Sequence, residues 1–401
     1  MSSPRRWPLH PRPGPLESLS SWLERLAELY EMPVRDLLTR NLGLVDLWVP
    51  DDLDYDPPQA MLAALAERTG VDLARLKAMT WVGWQPWLFD MLPVPLQASQ
   101  PVFDTYVRDS SVLLAPGEAG VNNVLHHGQR WAGPWYPYRP LRRTCPLCAA
   151  DSERGRALVW RLPLMTSCVE HRCRLEDAGE VAVSITLGRP GPGPVLPAAP
   201  LFTVDGYTYE ALTTGRVALP GRSVHAGVWF RLLRGLLDEV SLALTSRSVH
   251  GRAVLERIWQ ATGREERAGL KVWRPYEHLK PEIQEEMLHA AGTALHLAAD
   301  GAITARGRFA SALRPPAERH VYDGDRPSPH RTAWQEAVTE LEAALTLART
   351  DRDTARQLLA LLTLGCRTLD RFEQERAYLF GAGVPAEFLP GARELGREDL
   401  T

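Results

Sequence analysis

Apolar residues recur at helical spacing in two pairs of segments near the start of the chain. The first pair covers residues 18–30, which begin with serines that can cap a helix, and a shorter segment that follows Pro33. The second pair covers residues 61–71 and 72–79. Each pair predicts two helices joined by a tight turn.

The second pair has the pattern of a helix-turn-helix. Ala66 is small enough for a close helix crossing, Gly70 tolerates the left-handed conformation of a turn, and Leu76 returns to the core. Arg75 and Lys77 would then lie on the second helix, which in a helix-turn-helix is the recognition helix that contacts DNA. An ordinary helical hairpin explains the same pattern equally well.

The rest of the chain divides at a stretch rich in proline and glycine, which is typical of a linker. Beyond it the pattern is mainly helical, with a helix ending at Gly215, a long helix capped by Ser223, and further helices near 252–262, 281–299, 332–348, 354–364 and 366–380. The fold class predicted is mainly α, with helix-turn-helix-like pairs, a small cysteine-containing module and a helical C-terminal domain. The predicted domains are an N-terminal helical region (1–125), the cysteine-containing module (126–187), a linker with a short helix (188–221) and the C-terminal domain (222–401).

Composition indicates a globular protein that does not enter a membrane. The 401 residues are 45% hydrophobic and 24% charged, which is ordinary, and no apolar run reaches the roughly 18–20 residues that a membrane-spanning helix needs. The first 15 residues lack the apolar stretch of a signal peptide. We therefore expect a cytoplasmic protein, associated with the nucleoid if it binds DNA.

The net charge of −3 gives no reason to expect a nucleic-acid partner, but the charge is unevenly distributed. Residues 130–174 contain nine arginines and three acidic residues. The planar guanidinium group of arginine can donate two hydrogen bonds to a phosphate, which suits DNA binding. An ordinary solvent-exposed surface would also account for the excess of arginine. The candidate DNA contacts in this segment are Arg139, Arg142, Arg143, Arg154 and Arg156.

The basic segment contains four of the five cysteines. Cys145 and Cys148 are separated by two residues, and Cys168 and His171 repeat that spacing after nineteen intervening residues. Two such turns can bind one Zn²⁺ from opposite edges of its tetrahedral coordination shell, so residues 126–187 are predicted to form a zinc-finger module. Because four protein ligands fill the shell, the site is predicted to be structural, and a zinc hydrolase is disfavoured.

The remaining cysteines leave one alternative open. Cys173 could replace His171 as the fourth ligand, whereas Cys366 lies in an apolar helical run and is expected to be a core thiol. A disulfide framework belongs to small secreted domains and does not fit a chain of this length.

Three segments together resemble the TniQ proteins of bacterial transposons, relatives of the TnsD target selectors. They are the opening Trp7-Pro-Leu-His-Pro-Arg-Pro-Gly-Pro-Leu with the helix after it, the stretch Arg143-Thr-Cys145-Pro-Leu-Cys148, and Trp160-Arg-Leu-Pro163 leading into Cys168-Val-Glu-His171. The most specific part of the resemblance is the cysteine-containing segment with Trp-Arg-Leu-Pro between its two ligand pairs. The resemblance covers roughly the first half of the chain.

The resemblance implies a non-enzymatic adaptor for DNA transposition, which binds double-stranded DNA or a targeting complex and an AAA+ regulator ATPase. A transposase, a guide-RNA targeting complex and a second copy of the chain in a homodimer are further candidate partners. Many members carry another Cys-x-x-Cys after the first finger, which this chain lacks at residues 175–180. Two functions remain open: a DNA-binding target-selection adaptor, and a zinc-stabilised protein-interaction scaffold that does not itself read DNA.

Overall fold

The computed structural model is mainly helical, as the sequence predicts. The chain divides into two compact units, Met1–Ala317 and Glu318–Thr401. Within the described part, no helix combines the length and apolar character needed to cross a lipid bilayer. The structure describes residues 6–43, 52–89 without 86, 111–115, 118, 133–137, 139, 141–188 without 152, 193–242, 248–265, 275–314, 341–397 and 400.

The first helical pair begins close to where the sequence places it. Helix α1 (Leu19–Leu29) starts after Ser18, whose side chain accepts a hydrogen bond from the backbone N–H of Ser21. Helix α2 (Val34–Asp36) follows Pro33 and continues as one π-helical segment, Leu37–Asn41.

The second pair consists of α3 (Gln59–Thr69) and α4 (Leu73–Ala78). Gly70 ends α3 with φ at 72°, the left-handed conformation predicted from its position. Leu76 is fully buried. The two helical pairs share one core, and its buried side chains include Trp7, Trp22, Leu19, Leu23, Leu26, Leu37, Met61 and Leu65.

The cysteine-rich module contains very little regular structure. Its elements in chain order are β1 (Arg143–Thr144), α5 (Pro146–Ala149), β2 (Ser167–Cys168), β3 (Cys173–Arg174), β4 (Glu176–Asp177) and α6 (Ala178–Thr186). The strands form two antiparallel pairs: β1 pairs with β4, with Arg143 opposite Asp177, and β2 pairs with β3, with Cys168 opposite Cys173.

Helices follow the module, as predicted, with one correction at their start. Ser223 does not cap the long helix: it lies in a strand, and His225 is the capping residue, with its ring accepting from the N–H of Gly227. The elements are α7 (Ala199–Thr214), β5 (Arg216–Ala218), β6 (Ser223–His225), α8 (Ala226–Val240), α9 (Val249–Thr262), α10 (Pro281–Ala299) and α11 (Ala310–Leu313).

These helices and the cysteine-rich module share a single hydrophobic core, which extends from Trp81 through Cys145 and Cys168 to Leu313. Tyr276 reinforces the connection by donating a hydrogen bond from its hydroxyl to the carbonyl of Pro163, at 2.5 Å. The compact unit Met1–Ala317 includes residues 188–221, the predicted linker, and the helices that follow it. The expected boundary at 125/126 lies outside the described residues.

A buried carboxylate joins the N-terminal helices to the module. Glu17 is 1% exposed and binds Arg25 through both carboxylate oxygens, each at 2.9 Å. Around it, the backbone of Ser18 donates to the carbonyl of Arg156 at 2.9 Å. Gly155 fits against Glu17 so closely that an added Cβ would lie 1.7 Å from its Oε1.

The second unit has a small core of its own. A helix that ends at residue 348 precedes α12 (Arg352–Leu362) and α13 (Leu369–Gly381), and two short 3₁₀ turns, Ala386–Phe388 and Arg393–Leu395, follow. Of the helix predicted over 332–348, residues 332–340 lie outside the described part. The buried residues include Leu359, Phe372, Leu379 and Cys366.

We predict that Gly155→Ala lowers the free energy of unfolding by about 1–3 kcal/mol, because its Cβ must displace the buried Glu17–Arg25 ion pair. The control is Gly206→Ala in α7, where no atom lies within 4 Å of the added Cβ. That change should be neutral or stabilise by up to ~1 kcal/mol. Urea denaturation measures the free energy of unfolding of both variants. If the Gly155→Ala protein is as stable as the Gly206→Ala protein, Gly155 does not pack against the Glu17–Arg25 ion pair as described.

Candidate metal centre

The first ligand pair lies in the turn that begins α5. Cys145 precedes the helix and Pro146 occupies its first position, so the chain turns sharply there. The sulfur of Cys145 accepts a hydrogen bond from the backbone N–H of Cys148 at 3.4 Å, which folds the two cysteine side chains to the same side.

The second pair lies in the hairpin formed by β2 and β3. Cys168 is the last residue of β2, and His171 lies in the turn that leads to β3. Arg172 completes this turn with φ at 51°, a left-handed conformation that non-glycine residues rarely adopt. The turn directs the His171 ring back towards the cysteines.

The ligand atoms of these two pairs converge. The Nδ1 atom of His171 lies 3.5 Å from the sulfur of Cys145, 3.2 Å from that of Cys148 and 3.6 Å from that of Cys168. All four ligand atoms lie within 4.8 Å of one another. Neighbouring ligands of a tetrahedral zinc ion are expected about 3.5–3.8 Å apart. The cluster therefore has the composition and the size to hold one metal ion.

Cys173, the alternative ligand, lies beside this cluster rather than within the group of four. Its sulfur is 3.5 Å from that of Cys145. Burial raises the pKa of Cys173 to about 12. Hydrogen bonds from the Cys148 and Cys168 thiols lower the pKa of Cys145. Cys366 lies in the core of the other unit.

Asp205 of α7 holds the second ligand turn in place. Its carboxylate is fully buried and accepts hydrogen bonds from the N–H of Thr166 at 3.0 Å and from the hydroxyls of Thr166 and Ser167. Burial raises the pKa of Asp205 to about 6, because a low-dielectric surrounding disfavours the charged form. The residue just before Cys168 is thus fixed by a helix 38 positions further along the chain.

Two of the candidate DNA contacts point outward. Arg139 and Arg142 are exposed, and neither side chain has a hydrogen-bond or ion-pair partner in the part of the chain that the structure describes. Arg142 borders a cavity of about 610 Å³ between the N-terminal helices and the module.

Two other arginines are exposed but paired with carboxylates. Arg154 forms ion pairs with Asp151 at 3.2 Å and with Glu170, and Arg156 pairs with Glu24 at 2.5 Å. Exposed pairs of this kind contribute little to stability, so a phosphate could compete for the guanidinium groups. The paired carboxylates nevertheless offset the positive charge of Arg154 and Arg156, so this part of the surface is less basic than the sequence alone suggests.

The remaining candidates are used within the fold. Arg143 donates from Nε to the carbonyl of Trp160 at 3.1 Å and from Nη2 to the carbonyl of Leu162, and burial lowers the pKa of its guanidinium. Arg75 of α4 donates to the carbonyl of Gly14 at 2.5 Å. Lys77 is half-buried. Arg143 and Arg75 thus support the structure, and their bound donors are not available to a phosphate.

Sequence reasoning did not identify the carboxylates that support the site, namely Asp205, Glu17 and the pair Asp52 and Asp54. The last two bind Arg161, whose guanidinium lies 2.7 Å from each carboxylate. One signal was present: Asp205 is a lone carboxylate in the apolar first part of α7, where a buried charge needs specific partners. Which partners it has depends on long-range contacts that the sequence does not state.

Comparison with known proteins gives one match. Residues 8–175 match the family model of TniQ, a range that begins before α1 and ends just after β3, and so includes all four clustered ligands. No curated protein and no solved structure matches the chain. The chain therefore contains a TniQ domain over residues 8–175.

Proposed function

We propose that the chain is a DNA-binding target-selection adaptor of transposition, which connects target DNA or a targeting complex to an AAA+ regulator and a transposase. The observation that carries this proposal is the TniQ domain over residues 8–175. A role in transposition follows from that family. Direct DNA contact is supported by the unpaired guanidinium groups of Arg139 and Arg142.

We propose further that the metal is Zn²⁺, bound by Cys145, Cys148, Cys168 and His171. Three thiolates and one imidazole are a ligand set that zinc prefers, and their spacing suits its tetrahedral geometry. A shell filled by protein leaves no open position for a reacting water. The metal would therefore stabilise the module, and its chemistry would be structural.

Cys148→Ser is expected to abolish stoichiometric zinc binding and to expose residues 142–175 to proteases, because folding of such a module is coupled to metal binding. His171→Ala should have the same effect. Metal analysis of the purified proteins, followed by limited proteolysis, measures both results.

Cys173→Ser and Cys366→Ser are the matched controls, since both cysteines lie outside the group of four. Each control should keep one zinc ion per chain. A Cys173→Ser protein without zinc, beside a His171→Ala protein that retains it, would show that Cys173 is the fourth ligand.

For DNA binding, we predict that Arg139→Ala/Arg142→Ala flattens the slope of log affinity against log salt by up to about 1.8, because each lost phosphate contact removes about 0.9. Arg154→Ala/Arg156→Ala removes the same charge from residues already paired with carboxylates, and should flatten it less. Gel-shift titrations with duplex DNA at several salt concentrations compare them. Identical curves for the parent and both variants would remove these arginines from the DNA interface.

The second candidate function, a scaffold that does not read DNA, is favoured by one feature of the module. Helix α6 and the residue after it expose three apolar side chains, Val183 (57%), Ile185 (48%) and Leu187 (55%). Val183 and Leu187 are four positions apart and therefore lie on the same side of the helical turn, and an exposed apolar pair of this kind favours contact with a protein. A scaffold would leave DNA affinity negligible in the parent protein as well as in the arginine variants.

A further inference from the structure

The C-terminal unit contains a cavity of about 620 Å³ that lies outside the TniQ domain. Helices α12 and α13 and the two final 3₁₀ turns form its walls. Its charged lining consists of four arginines, Arg352, Arg356, Arg376 and Arg393, and two glutamates, Glu387 and Glu394.

Three of these arginines have no partner. Within the described residues, the side chains of Arg352, Arg356 and Arg393 form no hydrogen bond and no ion pair. Other arginines of the same unit are engaged: Arg371 pairs with Glu375 at 2.8 Å, and Arg349 donates to a backbone carbonyl at 3.0 Å. Arg367 is also unpaired and does not line the cavity, so three of the four unpaired guanidinium groups among the described residues of this unit lie at the cavity.

This arrangement does not favour stability. Arg352 and Arg356 are four positions apart on α12, so their like charges lie on the same helix face and repel each other. Arg352 is also the first residue of the helix, where the positive end of the helix dipole disfavours a cation. An anion placed in the cavity would relieve both effects.

We propose that this cavity binds phosphate groups of a nucleic-acid backbone, and that the C-terminal unit therefore makes its own contact with DNA. The cavity is larger than one phosphate ion, which favours an extended anion. Every positive side chain that lines it is an arginine, whose fork pairs with phosphate through two hydrogen bonds. The choice of nucleic acid over an acidic peptide rests on the proposed function.

The test compares two variants of the full chain that lose the same charge. Arg352→Ala/Arg393→Ala alters the cavity, and Arg367→Ala/Arg371→Ala removes two exposed arginines of the same unit that do not line it. Duplex DNA binding is measured at several salt concentrations. The cavity variant should flatten the slope of log affinity against log salt by up to about 1.8, whereas the control should retain the parent slope.

Equal slopes for the cavity variant and its control would overturn this inference, and the proposed function would stand if the parent still binds DNA. A parent that does not bind DNA would overturn both. If circular dichroism shows that the alanine variant is misfolded, Arg352→Gln/Arg393→Gln removes the same charges but keeps a polar side chain with the methylene groups of arginine up to Cγ, and the same salt slopes are then compared. Binding of polyglutamate that depends on the cavity, without any effect on DNA, would also overturn the assignment to nucleic acid.

Discussion

Two turns of the TniQ domain that are twenty positions apart bring together four side chains that could hold one metal ion. The strands that carry these turns are two residues long, and strands this short are not stable by themselves. What fixes the turns is the convergence of Cys145, Cys148, Cys168 and His171, assisted by contacts from elsewhere in the unit. A metal ion at the centre would replace a hydrophobic core that the module is too small to form.

Two buried carboxylates extend this constraint to the surrounding helices. Asp205 fixes the residues before Cys168 from α7, and Glu17 packs closely against Gly155 from the N-terminal side. Because each carboxylate is desolvated, it remains in place only while its hydrogen-bond partners are correctly positioned. The helix pairs, the cysteine-rich module and the helices after it consequently belong to one compact unit.

Local features of the sequence predicted the local features of the structure. The helix over Pro281–Ala299 was predicted with its observed bounds, and Gly70 has the expected left-handed conformation. The clustering of Cys145, Cys148, Cys168 and His171 was predictable because each pair is separated by only two residues, which places both side chains of a pair in one tight turn. Long-range features were not predictable. Ser223 lies in a strand because it pairs with Ala218. Arg143 donates its hydrogen bonds to the carbonyl groups of Trp160 and Leu162, which lie near it only in the folded chain. Counting charges along the chain therefore overstated the basic surface of the module.

The most direct measurement of the central claim is X-ray absorption at the zinc edge of the purified full-length protein. The account predicts three sulfur ligands at about 2.3 Å and one nitrogen ligand at about 2.0–2.1 Å. A shell of four sulfurs would mean that Cys173 replaces His171. Protein without stoichiometric zinc, or zinc surrounded mainly by oxygen, would contradict the proposed centre and the structural role assigned to it.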